Sequence, residues 1–450
     1  MQKIQKIIEY GLCLFLFFLP WQTRLILIPD EINGAYFEYG SISLYASDIL
    51  LLLLLVAYSL VRIFDKNEHK LIGQKQRISI EKIFFLAFCA FALISFFSAE
   101  NLLPAGLKLA WCLAGAGLFH LIHTCQNKER LIVSFFFGAF FQSLIGIWQF
   151  LQQKAFACRW LGMAGHNPSD LGASVVEAVG ADGLGERWLR AYGGLDHPNI
   201  FGGYLAIAIL LAIIFIIGKR KLLESAENEI AKIKYTILGG YVFLLSAQMA
   251  LFFSLSRSAW LSLSFGTALF LITSIIKKDR FFQKELLKIM LFGGTLFFIL
   301  FSSFNNLILV RMNAGSRIEK KSNHERIDSY RNGLSITKNN LLFGCGLGNF
   351  GQELAKLRPE QNTYYYQPPH NVFLVISAEC GILALLTFIA WLVFLSIKTF
   401  KQKNFYMLGL IGSLTPPFLL DHYFASLHFG VLFLFIIFAF VNNNQISTEK

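Results

Sequence analysis

A cation, an imidazole and an amide lie close together in the segment from Arg190 to Asn199 (RAYGGLDHPN), directly before an apolar stretch. The guanidinium of Arg190 could bind an anion through two oxygen atoms, and His197 and Asn199 could add hydrogen bonds to a substrate. Pro198 and Asn199 also suit the start of a helix, with Asp196 near its cap. The segment is therefore a candidate binding site, and an ordinary helix start is its alternative.

A single arginine lies in the tight connection between two apolar segments, within the sequence 254–260 (SLSRSAW). An arginine so close to the membrane is costly unless it meets a partner or an anionic ligand. The planar fork of Arg257 suits phosphate oxygens, and the neighbouring serines add donors. In the alternative interpretation Arg257 extends to lipid headgroups, and Trp260 anchors the interface.

A basic segment and a glycine-rich turn follow one another between 322 and 350. Residues 322–337 are typical of a partly amphipathic helix, on which Arg326 and Tyr330 share a face by their i, i+4 spacing. The turn 344–350 (GCGLGNF) is a weak phosphate signal, because it does not follow a strand. A surface helix with solvated charges is an equally weighted alternative.

His370 and Asn371 follow two prolines at the entry to another apolar segment. His370 can take a proton near neutral pH, and Asn371 can orient it or bind substrate. A helix start capped by Asn371 is the alternative.

Asp421 and His422 follow another pair of prolines, at 416–417. Such a combination can mark a transporter site, but at a helix end a solvated turn is the favoured interpretation.

The elements that carry these residues are predicted from composition. The 450-residue chain is 55% hydrophobic and 15% charged, and its long apolar runs are nearly free of charge. A soluble domain has about 25% charged residues, whereas a membrane-spanning helix needs about 20 apolar residues. We therefore predict an all-α polytopic membrane protein with about twelve transmembrane helices, at 8–21, 46–63, 82–98, 104–123, 131–151, 198–217, 235–254, 258–276, 287–304, 371–395, 405–420 and 425–441.

Lysine and arginine set the expected orientation. Basic clusters occupy short connections such as 218–221 and 277–280, which indicates that these face the cytosol. Both termini are then cytosolic, and the clusters described above lie at external ends. The predicted divisions are helices one to five in 1–151, an external loop 152–197, helices six to nine in 198–304, a long external loop containing helices in 305–370, helices ten to twelve in 371–441, and a cytosolic tail 442–450.

The net charge of +12 is spread over many short loops, so nucleic acid is not an expected partner. The seven cysteines include no CxxC pair, which leaves a zinc or thiol-redox site without support. Cys158 and Cys345 lie in the two long loops, but no spacing argues for a bridge between them.

Three segments resemble the O-antigen ligase and polymerase superfamily of bacterial surface-polysaccharide enzymes. They are 190–199 running into 201–204 (FGGY), 256–260 (SRSAW), and the stretch from Arg326 through 344–350 to His370 and 379–381 (ECG). The resemblance spans roughly 190–400, and the N-terminal helices match only in topology. Tyr330 stands where many members have tryptophan.

The resemblance implies a glycosyltransferase of the C-type membrane fold, in the bacterial plasma (inner) membrane. Such enzymes move a glycan from an undecaprenyl diphosphate carrier to an acceptor hydroxyl at the external, periplasmic face. Arg190 and Arg257 correspond to diphosphate-binding arginines and His370 to the catalytic base. No metal and no cofactor are expected. The further substrate-binding residues are expected to be His197, Asn199, Arg326, Tyr330 and Asn371.

The expected reaction is a direct displacement with inversion, because a lipid diphosphate is already a good leaving group. The expected acceptor is a glycan, lipid A-core or a protein. A ligase would use lipid A-core or a protein, whereas a polymerase would use another lipid-linked glycan, and the motifs do not separate the two. A transporter of polysaccharide or lipid carrier is the alternative from another class. It would need ionisable groups near mid-membrane, and the apolar segments hold few.

Overall fold

The computed structural model describes residues 2–64, 79–179, 185–312, 317–402 and 404–442. Within these residues the framework is helical. The helices are α1 Gln2–Phe18, α2 Ala46–Phe64, α3 Ile80–Phe97, α4 Leu102–Thr124, α5 Lys128–Gln152, α6 Pro198–Glu224, α7 Ile230–Phe253, α8 Arg257–Ile276, α9 Arg280–Met312, α10 Arg317–Asn339, α11 Phe350–Leu357, α12 Val372–Lys401, α13 Phe405–Ser413, α14 Thr415–Leu420, α15 Tyr423–Ser426 and α16 His428–Val441.

Nine of the described helices, α2 to α9 and α12, are long and apolar enough to cross a membrane. Shorter apolar helical segments cover Tyr406–Leu420 and His428–Val441, and α1 has 17 residues. The chain is thus a predominantly helical, multi-pass membrane protein, as predicted. The number of twelve spans and their orientation stay predictions.

Three small antiparallel sheets depart from the all-α prediction. Strand β1 (Arg24–Ile28) pairs with β4 (Ile42–Tyr45), β2 (Glu31–Ile32) with β3 (Ala35–Tyr36), and β5 (Val175–Val179) with β6 (Gly185–Leu189). Their sequences are rich in the β-branched and aromatic residues that favour extended chain. All six strands lie in connections between helices, so the sheets modify the predicted loops and leave the helical framework intact.

The predicted loop 305–370 begins later than expected. The predicted end of the ninth helix at 304 coincides with a kink at Phe304 (φ −129°, ψ 29°), after which α9 continues to Met312. The loop contains α10 and α11, in keeping with a long connection that includes helices. The predicted tail 442–450 lies outside the described residues apart from Asn442.

The helix α6 forms the centre of the bundle. Its most apolar stretch is completely buried, and it packs against α5, α7, α8, α9 and α13. From Tyr204 to Ile217 the sequence offers no charged side chain on any face, which is typical of a helix surrounded by other helices. Its first residue, Pro198, directly follows the cluster at 190–197, so the core of the fold fixes the position of that cluster.

A glycine interrupts α12 and lets the glycine-rich turn pack against it. Gly381 has φ +85°, a left-handed conformation that glycine adopts readily. On either side of the break, Gly346 N donates to Glu379 O over 3.0 Å, and Ile382 N donates to Leu341 O over 2.9 Å. The turn 344–350 and Leu341 just before it therefore satisfy backbone groups that the broken helix leaves open.

A buried ion pair holds the same region. Lys108 of α4 lies 2.8 Å from both carboxylate oxygens of Glu379, and Gly348 N donates to Glu379 Oε2 over 3.0 Å. Both charged side chains are buried, and their mutual contact with a further hydrogen bond offsets the cost of removing them from water. The pair thus joins α4, the glycine-rich turn and α12.

Candidate active site

The connection between α7 and α8 receives two buried arginines from distant segments. Arg190 Nε donates to Ser254 O over 2.8 Å, and Arg311 Nε donates to Leu255 O over 3.0 Å. Leu255 has φ +47°, so the chain turns sharply there. The last carbonyl groups of a helix lack intrahelical partners, and here the two guanidinium groups supply hydrogen bonds. Both cations are thereby held in fixed orientations.

Arg257 begins α8 beside these two arginines. Ser256 caps the helix, since its hydroxyl accepts from Ala259 N over 3.4 Å. The positive end of a helix dipole adds to the charge of Arg257, whose side chain is half-buried. The tight turn between α7 and α8 therefore carries Arg257 itself and holds Arg190 and Arg311 close by.

A chain of buried hydrogen bonds connects the arginine segment to the end of α14. Arg190 Nη2 donates to Asn199 Oδ1 over 2.7 Å. Asn199 Nδ2 in turn donates to Asp421 Oδ1 over 3.0 Å, and Ser258 Oγ donates to Asp421 Oδ2 over 2.7 Å. Three predicted clusters meet here, and a carboxylate lies at their junction.

His197 caps α6. Its Nδ1 accepts from Asn199 N over 3.1 Å, and its Nε2 lies 3.0 Å from Ser174 Oγ. Because Nδ1 accepts, the ring proton of the neutral imidazole is on Nε2 and points to the serine. Burial, and then Arg190, lower the pKa of His197 well below its ordinary value. These contacts are those of an ordinary helix start, the alternative considered for this segment, except that the capping residue is His197 and not Asp196.

Four cationic or imidazole groups other than His197 lie within its electrostatic reach. After burial, the groups that lower the pKa of His197 are Arg190, His370, Arg311 and Arg326. They come from the segment before α6, the entry to α12, the end of α9 and α10. Residues far apart in sequence are therefore gathered in one electropositive region, which suits an anionic ligand.

Tyr330 and Asn371 hold the chain around His370. The hydroxyl of Tyr330 lies 3.0 Å from His370 O and 2.6 Å from Leu419 O. Asn371 caps α12 by accepting from Leu374 N over 3.1 Å, and its amide lies 3.4 Å from Leu419 O. Burial raises the pKa of Tyr330, so the phenol remains a donor. These contacts fix the entry of α12 against the end of α14.

The imidazole of His370 is half-buried and suited to accept a proton. Burial lowers its pKa, Arg326 lowers it further, and Asp421 opposes them. A neutral ring near pH 7 follows, because the ordinary value is already about 6.5. Its Nδ1 is enclosed and has no hydrogen-bond partner among the described residues. The ring centre lies 5.1 Å from that of His422.

Asp421, His422 and Arg311 also lie in this region, although the sequence analysis assigns them no part in a transferase site. The expectation of a solvated turn at 421–422 is wrong, because Asp421 and His422 are only 5% and 7% exposed. His422 Nδ1 lies 2.5 Å from Ser426 Oγ. The two prolines before Asp421 are the sequence feature that could have indicated its role. For Arg311 the corresponding feature is a basic residue at the end of a long apolar segment.

Neither thiols nor metal ligands add to this region. Cys158 and Cys345 are both free thiols. Across the ranges that the structure describes, no three His, Cys, Asp or Glu side chains are grouped closely enough to hold a metal ion.

Residues 240–389 match a family model described as O-Antigen ligase. The matched region includes Arg257, Arg326 and His370, whereas Arg190 and Asp421 lie outside it. No curated protein and no solved structure matches the chain.

Proposed function

Because the match over residues 240–389 places this chain in the O-antigen ligase superfamily, we propose that it transfers a glycan from undecaprenyl diphosphate to an acceptor hydroxyl. The reaction takes place at the external face of the bacterial plasma membrane, with both chain termini in the cytosol. One observation carries the proposal. The hydrogen-bonded chain from Arg190 through Asn199 and Asp421 to Ser258 unites the predicted motifs beside His370.

The arginines bind the diphosphate of the donor. Arg190 and Arg257 contact its oxygens, and Arg311, held by the carbonyl of Leu255 in the same turn, adds positive charge. Because peptide oxygens orient Arg190 and Arg311, these cations need no reorganisation as negative charge grows on the leaving group. Preorganised donors of this kind are the largest source of stabilisation in many transition states, and the arginine fork matches phosphate geometry.

His370 removes the proton of the acceptor hydroxyl. As the acceptor oxygen forms its bond to the anomeric carbon, its proton passes to the neutral imidazole. The bond from that carbon to the diphosphate oxygen breaks, and its electron pair leaves with undecaprenyl diphosphate. The configuration at the anomeric carbon is inverted. Asp421, which favours the charged imidazole, stabilises the imidazolium as it forms.

The remaining predicted residues position this machinery. Asn199 couples Arg190 to Asp421, and Tyr330 and Asn371 hold the His370 segment. Burial keeps the imidazole of His370 neutral and Arg326 adds to this effect, and His197 supports the start of α6. No step in this scheme calls for a metal or cofactor.

The acceptor decides between the two enzymatic variants. A ligase acts on lipid A-core or a protein, and a polymerase extends a second lipid-linked glycan by the same displacement. The family match favours a ligase or a polymerase over a transporter of polysaccharide or lipid carrier.

The test uses purified full-length protein with an undecaprenyl-diphosphate-linked oligosaccharide and each acceptor class in turn. Mass analysis should show the glycan joined to one acceptor, and His370→Ala should abolish this. His324→Ala is the matched control, since His324 is an exposed histidine on α10 that pairs with Asp328. Movement of the intact lipid-linked glycan across vesicles, without transfer to any acceptor, would instead establish the transporter.

A further inference from the structure

His422 lies beside His370 and takes no part in the transfer step. The ring centres of the two imidazoles are 5.1 Å apart, and their planes are inclined by 52°. Nδ1 of His370 is enclosed and has no hydrogen-bond partner among the described residues, so an acceptor hydroxyl has to approach the other ring nitrogen. The separation of the rings allows a hydrogen bond between their nitrogen atoms, either directly or through one water molecule.

The hydrogen bonds of His422 define its tautomer. Ser426 Oγ donates to His422 O over 3.0 Å, and a hydroxyl group has a single proton to donate. In the contact of 2.5 Å between His422 Nδ1 and Ser426 Oγ, the ring is therefore the donor. A neutral imidazole that carries its proton on Nδ1 has a lone pair on Nε2. His422 is consequently able to accept a proton at one nitrogen and to release another at the opposite one.

The surroundings of His422 favour passing a proton on over keeping it. Burial lowers the pKa of His422 well below its ordinary value, and His370, Lys108 and His197 lower it further. The ring is neutral at rest for this reason. Once protonated, it gives the proton up to an available acceptor.

A small polar cavity begins at Ser426. Its volume is about 30 Å³, which has room for roughly two water molecules. Tyr39, whose ring centre lies 5.8 Å from that of His422, also lines this cavity. Arg24 and Glu38 line it as well and pair over 2.7 Å, with side chains that are 27% and 44% exposed. The cavity therefore leads from the hydrogen-bond partner of His422 toward solvent.

Asp196 provides a carboxylate on the wall of the cavity. It is accessible to water there, although protein surrounds it. The surrounding protein limits its hydration, and this, together with Glu38, raises the pKa of Asp196 to about 6, while Arg24 opposes them. A carboxyl group with such a pKa exchanges protons with water near neutral pH.

We propose that His422 and Ser426 carry the proton that His370 takes from the acceptor to the water-sized cavity beside Asp196. This inference rests on the proposed function. As His370 receives the acceptor proton on its accessible nitrogen, its Nδ1 proton passes to His422 Nε2. The Nδ1 proton of His422 passes to Ser426 Oγ, whose own proton goes to water and then to Asp196. One proton enters this relay and one leaves it, and both rings return to their first tautomer before the next turnover. The base is thereby neutral again while the glycan still covers its accessible nitrogen.

Ser426→Ala tests the relay in the transfer assay with the undecaprenyl-diphosphate-linked oligosaccharide. Removing the hydroxyl interrupts the relay after His422, so proton release should limit turnover. We expect kcat to fall roughly tenfold with KM unchanged, a smaller loss than the about 10² to 10⁴ that a general base contributes. The solvent deuterium isotope effect on kcat should become larger than that of wild type. An unchanged kcat, or a loss with the isotope effect of wild type, would overturn the proposal.

Ser413→Ala is the matched control. Ser413 is also a buried serine whose hydroxyl donates to a carbonyl of its own helix, that of Leu410, over 2.8 Å, and it does not line the cavity. It should keep the kcat and the isotope effect of wild type. His422→Gln removes the ionisable ring itself and should repeat both effects of Ser426→Ala. Wild-type turnover in His422→Gln would equally contradict the relay.

A measurement without substrate separates this inference from the proposed function. Nitrogen-15 NMR of the histidine-labelled protein reports the protonation and hydrogen bonding of each imidazole. Ser426→Ala should shift the signals of His422 and, through it, those of His370, whereas Ser413→Ala should shift neither. Coupled histidines without glycan transfer to any acceptor would retain the hydrogen-bonded chain and reject the transferase. Transfer with His370 signals that do not respond to Ser426→Ala would reject the relay alone.

Discussion

Asn199 donates its side-chain amide to Asp421 over 3.0 Å across 222 residues of sequence. The first residue stands at the start of the most buried helix, and the second follows a short helix near the end of the chain. Their bond ties the arginine segment to the surroundings of His370. The candidate site therefore depends on how the start of α6 meets the end of α14, and this bond adds to the contacts that Ser254, Tyr330 and Asn371 make on either side.

Asp421→Asn should slow glycan transfer and shift its pH profile. The substitution keeps the shape but removes the charge that favours protonated His370. We expect kcat to fall by roughly a hundredfold, which is at the lower end of what a general base contributes. The acidic limb of kcat/KM should move to lower pH, because the pKa of the imidazole falls. A profile identical to that of wild type would separate Asp421 from the base.

Arg326→Gln should move the acidic limb in the opposite direction. Arg326 lowers the pKa of His370, so its removal raises that pKa. Activity requires the neutral ring and is lost as pH falls through the pKa, which means that the variant loses activity at a higher pH than wild type does. Arg331→Gln on the same helix, whose side chain is exposed, serves as control and should not shift the limb.

Arg257→Lys should reduce transfer although it keeps the charge. Lysine presents a single ammonium group and does not provide the two parallel hydrogen bonds of a guanidinium. By analogy with the loss of one transition-state donor, we expect kcat to fall by about 10² to 10³. Arg220→Lys, at the opposite end of the bundle, should behave as wild type. Wild-type rates in Arg257→Lys would contradict bidentate binding of the diphosphate.

Gly381→Ala should destabilise the protein. At φ +85° a Cβ atom would lie 2.1 Å from Leu342 O, and an unfavourable backbone conformation alone costs about 1–3 kcal/mol. Thermal unfolding of the purified protein in detergent measures the effect. Gly294→Ala is the control, because its Cβ has open space and alanine favours a helix by about 1 kcal/mol over glycine. Equal midpoints for the two variants would argue against the packed break in α12.

Lys108→Met should also lower stability, through the charge that it leaves behind. Unpaired Glu379 would remain buried, and breaking such a pair costs about 3–5 kcal/mol. Adding Glu379→Gln to Lys108→Met should recover most of the loss, because the neutral amide oxygen can still accept from Gly348 N. The unfolding midpoints of the two variants provide the measurement. A double variant as unstable as the single one would show that the charge was not the cause.

The sequence predicts those parts of the candidate site that have a recognisable local sequence pattern. Arg257 stands between two apolar segments, and His370 follows two prolines at a helix entry, so the local sequence marks both as candidates and the family resemblance supports His370. The helical segments are equally visible, because an apolar stretch of sufficient length has one stable conformation in lipid. Most of each predicted membrane segment is accordingly helical in the structure, although 405–420 is divided into α13 and α14 and 425–441 is interrupted at Leu427.

The residues that the sequence did not identify owe their positions to contacts between segments far apart in the chain. The role of Asp421 depends on Asn199 and Ser258, and that of Arg311 on a carbonyl of residue 255. No local pattern encodes these partners. The strands β5 and β6 were missed for a related reason: a short hairpin is stabilised by pairing, and neither strand has a periodicity long enough to identify it alone.

The oxygen atoms that hold Arg190 and Arg311 belong to the peptide backbone at 254 and 255. Every amino acid carries that atom, so exchanging the side chain at either position leaves the acceptor in place unless the chain itself moves. The orientation of both guanidinium groups should therefore survive any substitution at 254 or 255 that leaves the backbone of the turn unchanged.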